Sequence, residues 1–446
     1  MPNPSVSSRR AFLKRTTGAG LLICSSQTAF TFKANGRLNI AAIGVGGQAE
    51  GNLNAVSSEN FVAFCDVDDT RASNTRKKYP DVKAYYQDFR KMLDEKANEI
   101  DGVMVATPDH THAVAAIASM KLGKHVFCEK PLTRTVYEAR MMRLTAQKQK
   151  VVTQMGNQGS ASEGVRRATE WGMAGTVGPV KEAYLWVSDG NQESKLPQDR
   201  PEIPKELAWD LWLGPVAERP YHPNYVPHNW RNWRHFGSGG FGDMGCHTAN
   251  FLFRCLQLPE LWALSADTPK ESRLIKFEGE ATGVHAEGYP SSCRVQIHIP
   301  ARGEHPAVKL TASSGEAMRP AKELTQGVGL SSFGALLVGS KGSIYSSDPW
   351  NTSSMLLPRI NSFEQPPKSL PRGVGHHMEW VDACKGKGKT FSPFDIGGPL
   401  TELIQLVNVA ALTGTPFTFD PATGEITDNL KASAMLHRPY RQGWSL

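Results

Sequence analysis

The sequence predicts an α/β protein: a doubly wound parallel sheet followed by an α+β domain whose sheet is largely antiparallel. Three observations predict it. Short apolar runs alternate with helical stretches from Arg37 to about residue 156. A glycine-rich turn, "GVGG", directly follows the first apolar run. Beyond residue 156 the alternation stops and β-like segments take over. Regular alternation of strands and helices implies parallel strands with helices on both faces.

Taken in order, "RLNIAAIGVGG" is a strand ending in glycines, and 48–56 suits a short helix. "FVAFCDVD" is a second strand, followed by the polar helical stretch 69–79. "DGVMVATP" is a third, with helix 111–122 after it. "HVFCEKP" is a fourth, followed by helix 134–149, and "KVVTQMGN" is a fifth. A helix over 161–173, a "GTVGPV" turn and the strand "KEAYLWVSD" come next. The stretch 188–240 is irregular and loaded with Pro, Gly, Trp and His. A helix near 244–257 precedes β-like segments to about 350, and 376–387 and 400–414 are helical by period. The predicted division is 37–156 for the first domain and 157–446 for the second.

A chain of 446 residues, 40% hydrophobic and 21% charged, is long enough for two domains with real cores. Its formal charge of +7 is concentrated at one end. Residues 1–34 hold Arg9, Arg10, Lys14, Arg15 and Lys33 and no acid, so the remainder is close to neutral and gives no support for nucleic-acid binding. The seven cysteines are scattered singly with no CxxC pair, and Cys65 and Cys128 fall at strand ends. That pattern predicts free core thiols.

The stretch "SSRRAFLK" resembles a twin-arginine export signal, carried by Ser8, Arg9, Arg10, Phe12, Leu13 and Lys14. The resemblance implies export in the folded state to the periplasm or another extracytoplasmic space, with residues 1–34 as a signal peptide. The apolar stretch behind it is too short, and too rich in Gly, Ser and Thr, to be a stable membrane span. No other apolar run reaches that length, so membrane insertion is not expected.

Gly44, Val45, Gly46, Gly47 and Gln48, with Ala49, form a G-x-G-x-x-A turn between the first strand and its helix. Gly44 permits a tight turn, Gly46 lets the backbone approach a pyrophosphate, and Ala49 allows helix and sheet to touch. The helix then offers free N–H groups and a positive dipole end to phosphate. Asp66 ends the second strand about 20 residues on, the distance at which an acid bonds the adenosine ribose. These features together predict a Rossmann-type dinucleotide site. A carboxylate there repels a 2′-phosphate, which favours NAD over NADP; Arg71 keeps NADP open. The other reading is a glycine-rich turn in a doubly wound fold with a different ligand.

Open α/β sheets bind ligands at the carboxyl ends of their strands, where "TPDHTH" (107–112) and "CEKP" (128–131) also fall. With "GDMGCHTANF" at 242–251, these segments resemble the Gfo/Idh/MocA oxidoreductases, whose members act mostly on sugars, polyols and glycosides. The likeness spans roughly 37 to 446. It implies that Lys130 touches the substrate hydroxyl beside the nicotinamide, and that Asp243 and His247 match the D-x-x-x-H segment of the second domain. It also implies that Glu129 approaches the nicotinamide ribose. Thr107, Pro108 and Asn157 join the expected cofactor contacts, and His112 is expected to line that site, with helix capping or solvent exposure as the alternative.

The chemistry of these residue types can be argued independently. Removing hydride from an alcohol carbon requires its O–H proton to leave, since a carbonyl must form. A histidine near its own pKa is a natural base, and a lysine ammonium stabilises a developing alkoxide. Asp243 and His247 stand at i and i+4, one helical turn apart on one face. Pro131 restrains the chain at Lys130. The plain readings are that Lys130 is a salt-bridged strand-end charge, Asp243 a helix N-terminal carboxylate and His247 a core histidine.

The run "YVPHNWRNWRHF" places Tyr225, His228, Trp230 and Arg231 just before Asp243, as candidate sugar-binding residues with Gln158, Asp243 and His247. Aromatic faces stack on pyranose C–H groups, and Arg and His donate to hydroxyls. The run also reads as a long loop folded on its own tryptophans. His222, His228, His235, Cys246 and His247 match no zinc spacing, and no metal is expected. The resulting expectation is an exported NAD-dependent oxidoreductase of a sugar or glycoside hydroxyl, carrying its cofactor already bound because NAD does not circulate outside the cytoplasm. Two alternatives stand beside it. One is an NAD-dependent glycosidase that oxidises, eliminates and re-reduces; against it, family glycosidases acting on N-acetylgalactosamine carry a different segment where "GDMGCH" stands here. The other is a catalytically silent sugar-binding protein. The second domain's sheet could offer a free face for a homo-oligomer.

Overall fold

The computed structural model describes residues 36–188, 198–315, 320–358 and 363–446. The export-signal expectation, residues 1–34, lies outside the described residues, as does the end of the predicted strand "KEAYLWVSD".

Six parallel strands build the first sheet: β1 (Asn39–Ile43), β2 (Asn60–Cys65), β3 (Tyr85–Tyr86), β4 (Gly102–Val105), β5 (His125–Glu129) and β6 (Thr153–Gly156), in the order β3-β2-β1-β4-β5-β6. Helices α1 (Gln48–Ala55), α2 (Asp69–Lys78), α3 (Phe89–Lys96), α4 (Asp109–Lys121) and α5 (Val136–Gln149) connect them. Side chains alternate along each strand, so Ile40 and Ala42 pack on one face and Ala41 and Ile43 on the other. Both faces are covered, and for that reason the strands read as unbroken apolar runs. The sequence reading missed β3 and α3. Two-residue β3 is too short to show a period, and its two tyrosines are only half-buried.

Helix caps follow local chemistry. Asp68 accepts from the Arg71 N–H at the start of α2, and Thr135 and Glu138 form a reciprocal capping box at α5.

The second half begins with α6 (Glu163–Met173) and β7 (Val180–Val187). It continues through β8 (Ile275–Thr282), β9 (Ser292–Ile299), β10 (Val308–Ser314), β11 (Gly334–Gly339), β12 (Ser343–Ser346), β13 (Ser354–Leu357), β14 (Phe417–Asp420) and β15 (Glu425–Ile426). The sheet order is β13-β12-β11-β7-β10-β9-β8-β14-β15, antiparallel except for the parallel pair β7 and β10. Strand β9 alternates buried and half-exposed residues, so one face of this sheet is packed. The other carries pairs such as Lys276 with Glu278 and Arg294 with Glu280.

Two late helices tie the halves together. Phe394–Thr413 packs on α5 and on β8, with Gly279 under Ala410 and Gly397 against Met155 and Leu132. It starts before the predicted residue 400, because "GGPL" reads as a breaker while the packing demands the close approach that glycine allows. This helix corrects a further expectation: by length and composition it could cross a membrane, but 89% of its apolar window is buried within the protein. The helix His376–Cys384 returns to the first sheet, where Trp380 is fully buried against Phe127 and Gly102. The free-thiol expectation holds among the described residues: Cys65, Cys128, Cys246, Cys255, Cys293 and Cys384 are all buried and unpaired.

Truncating Trp380 would leave a large cavity under the sheet. Trp380→Ala should therefore lower stability by about 3–5 kcal/mol, measured by chemical unfolding. A change within a few tenths of a kcal/mol would refute this account of how the late helix is anchored.

Candidate active site

Strand register sets the site. Ile43 pairs with Cys65 and with Val105, and Val105 pairs with Cys128, so the strands end on one line. The residues that follow, Gly44, Asp66, Ala106 and Glu129, therefore stand in a row along one edge. That edge is the crevice where strand order reverses between β1 and β4. A cavity of about 440 Å³ runs along it.

At one end lies the glycine turn. Gly44 has φ +78°, and a Cβ there would lie 2.6 Å from the Ala106 carbonyl oxygen. A Cβ on Gly46 would lie 2.8 Å from the Arg71 carbonyl oxygen. Gly47, at φ +64°, precedes α1 without a side-chain cap, so phosphate can take the first N–H groups of that helix. The Arg71 guanidinium lies over Gly47 and lines the cavity, as does Gln48. These residues fit a dinucleotide pyrophosphate. The Val45 side chain is buried, and its N–H donates to Asp66 Oδ2 at 2.9 Å. Asp66 also accepts from Gly46 and Asp68 N–H groups. Burial pushes this carboxyl up while those three donors pull it down. A carboxylate offers about four lone-pair positions, so Asp66 can brace the turn and still accept from a ribose hydroxyl.

At the other end, Lys130 Nζ donates to Asp243 Oδ1 at 2.7 Å and to the Asp243 carbonyl oxygen at 3.0 Å. Arg231 Nε donates to the same Oδ1 at 3.3 Å, and its guanidinium lies 4.2 Å from the Trp230 ring centroid. Burial pushes the Asp243 carboxyl up, but Lys130 and Arg231 outweigh it and hold the group at about 2. Lys130, His228, Trp230 and Arg231 line the cavity together with Thr107, Pro108 and Glu129. Glu129 is buried, accepting from Asn52 at 2.8 Å and from Gln158 at 3.0 Å. Burial raises its pKa despite Lys130. Gln158 thus positions Glu129.

Several expected contacts resolve differently. His112 does not line the cavity: its Nε2 lies 2.7 Å from the Thr107 carbonyl oxygen and its Nδ1 2.9 Å from that of Pro131. It clasps the ends of β4 and β5. Asn157 is fully buried and does not line the cavity, and its amide oxygen and nitrogen have no partner among the described residues. Tyr225 is buried in an aromatic cluster with Trp209, Trp233 and Phe236, so the loop does fold on its own aromatic core, while Val226, Pro227, His228, Trp230 and Arg231 reach the cleft. The predicted shared face of Asp243 and His247 does not form as a plain α-helix. Phe241–Gly245 is a π turn; the Asp243 side chain is partly exposed beside Lys130 while His247 is buried, and neither is among the residues lining the cavity. Burial, aided by the charge of Lys130, holds the His247 imidazole well below its usual range. Its ring lies 6.2 Å from that of the exposed Trp350. His222 and His235 turn instead to Asp199 and Glu287.

Sequence reasoning missed Asp109. It lines the cavity, is buried, and accepts from Ser238 Oγ at 2.8 Å. Burial pushes it up to about 7, against the opposing charge of Arg231. An acid in a first helical turn is so ordinary that only the packing distinguishes it.

The family profile described as "Oxidoreductase family, NAD-binding Rossmann fold" matches residues 38–157, and "Oxidoreductase family, C-terminal alpha/beta domain" matches residues 170–257. The chain belongs to the Gfo/Idh/MocA oxidoreductases. Its first domain is therefore the NAD-binding domain of that family. The chain is 33% identical over 109 residues to a levoglucosan dehydrogenase of Pseudarthrobacter phenanthrenivorans, a match covering 23% of this chain and 27% of that protein. It is 32% identical over 152 residues to a glycosyl hydrolase family 109 protein of Solibacter usitatus, covering 29% and 34%. The matches thus span about a quarter to a third of these relatives. Among solved structures, the WlbA dehydrogenase of Bordetella pertussis in complex with NADH and UDP-GlcNAcA superposes with a TM-score of 0.58 at 14% identity, over 85% of this chain and 98% of that one. At that identity the likeness is one of fold.

The buried Asp109 carboxyl yields a pH prediction for this Gfo/Idh/MocA chain. A carboxyl whose folded pKa lies above its unfolded value costs stability as pH rises from the unfolded value through the folded one, here from about 4 to about 7. Asp109→Asn removes that cost. The variant should match the parent at pH 4 and exceed it at pH 8 by on the order of a few kcal/mol in unfolding measurements. Equal stability at pH 8 would show that the carboxyl ionises freely.

Proposed function

We propose that the protein is an exported, NAD-dependent oxidoreductase acting on a ring hydroxyl of a sugar or glycoside. The observation that carries this reading is the Lys130 ammonium, held by the side chain and main chain of Asp243 in the same cavity as the glycine turn. NAD bound along that cavity supplies the hydride acceptor. Lys130 donates to the substrate oxygen and steadies negative charge as its proton leaves. Asp243, held near pKa 2, is too weak a base to take that proton near neutrality and instead orients Lys130. His247, neutral because burial and the Lys130 charge hold its imidazole well below its usual range, is assigned the proton-acceptor role on its place in the D-x-x-x-H segment. Trp230, Arg231 and His228 supply the polar and aromatic wall for the sugar.

The similarity to a glycosyl hydrolase family 109 protein supports a second reading: transient ring oxidation, elimination of the aglycone, addition of water to the resulting enone and re-reduction by the same bound cofactor. An aryl glycoside separates the two. Free phenol without net NADH means cleavage, and a keto-glycoside means dehydrogenation. If neither appears and bound NAD exchanges no hydride with any saccharide tested, the protein only binds sugars.

Denaturing the purified protein should release NAD, about one per chain, rather than NADP. Lys130→Met should leave that content unchanged and reduce turnover by about 10²–10³-fold. Full turnover in the variant would remove Lys130 from the chemistry. Export is checked by changing Arg9 and Arg10 together to lysine, which should leave the protein in the cytoplasm. Unimpaired appearance outside it would dismiss the twin-arginine reading.

A further inference from the structure

The segment 440–446 is tied down at the cavity's far end. Arg441 donates through its N–H to the Pro215 carbonyl oxygen at 3.1 Å, and through Nε to that of Gly214 at 2.6 Å. Its guanidinium also pairs with Asp210 at 2.5 Å. Arg90 Nη1 donates to the Gly443 carbonyl oxygen at 3.3 Å, Lys121 Nζ to that of Leu446 at 2.7 Å, and the Tyr440 hydroxyl to Glu138 at 2.6 Å. These ties anchor the strap to the Trp209–Leu213 helix and the turn after it, and to α3, α4 and α5.

What the strap delivers is Trp444. Its indole lines the same cavity as the glycine turn. It does so beside Phe89, 6.0 Å between ring centroids, under the guanidinium of Arg90, which lies 4.3 Å from the indole centroid. Phe89 follows β3, and β3 neighbours β2, the strand that ends at Asp66. In this strand order the adenosine half of a dinucleotide lies on the β2 and β3 side, and the nicotinamide half on the β5 side with Lys130. Trp444 is therefore at the adenine end. Arg90 lies 4.3 Å and Arg441 6.0 Å from the indole centroid, and Trp444 still lines the cavity.

We propose that Trp444 is an adenine-binding residue, and that the strap carrying it retains the dinucleotide as a resident group. The inference rests on the NAD reading of the cavity and adds to it a residue outside the nucleotide-binding domain. Retention of this kind suits an enzyme that must keep its cofactor where none is dissolved. Base-on-aromatic stacking is worth enough that its loss accelerates release by roughly 5- to 100-fold.

The test uses the full-length protein loaded with NADH and chased with excess NAD, following loss of NADH fluorescence, alongside the dinucleotide content after gel filtration. Trp444→Leu keeps apolar bulk without the π-face. It should release NADH roughly 5- to 100-fold faster and lose dinucleotide on the column, with the far-UV circular dichroism of the NAD-saturated protein unchanged. Trp444→Phe should largely restore retention. Arg441→Ala, which unties the strap while leaving the indole, should also speed release. Unchanged release in Trp444→Leu overturns the proposal while leaving the NAD reading intact. A parent protein that neither holds nor takes up a dinucleotide overturns both.

Discussion

The ion pair of Lys130 with Asp243 joins the two halves of the molecule where the chemistry is proposed to occur. A partly buried ammonium is costly unless it is paired and its remaining protons are occupied. Here one carboxylate oxygen and one main-chain carbonyl of the same residue accept from it. Asp243 comes from a π turn, and Arg231 reaches the same carboxylate from the preceding loop. The sheet edge, the turn and the loop therefore close around one charge. Displacing any of them would leave a cation or an anion unpaired in the cleft.

Among the carboxyls lining the cleft, three are each balanced in their own way. Asp66 is held by backbone N–H donors, Glu129 by the amides of Asn52 and Gln158, and Asp109 by a single serine hydroxyl. Burial raises all three, and Asp109, beside that single hydroxyl, is pushed up to about 7. Acidic groups beside a phosphate site also explain the cations lining the same cavity, Arg71 at one end and Lys130 and Arg231 at the other.

Much of the fold was legible because its signals are local. The period of the apolar runs gave five of the six parallel strands, and the glycine turn and Asp66 marked the nucleotide site. Tyr85–Tyr86 was not legible, because a two-residue strand owes its pairing to its neighbour β2 and not to its own pattern. His112 and Tyr225 looked like ligand contacts because residue type alone does not say which acceptors or rings lie nearby. Asp109 was passed over for the converse reason, since nothing in "TPDHTH" says that Ser238, 129 residues away, will cover it.

The sequence by itself determined the class of fold, the position of the dinucleotide turn and the presence of Lys130 at a strand end. Periodicity, glycine stereochemistry and strand-to-turn order act over a few residues, and a single chain displays them. Only the tertiary structure decided which charges share a cavity, that the late helix with Trp380 buttresses the first sheet, and that Trp444 reaches the far end of the cleft. Those outcomes depend on segments hundreds of residues apart meeting in a packed interior, where burial and partner geometry fix the state of each group.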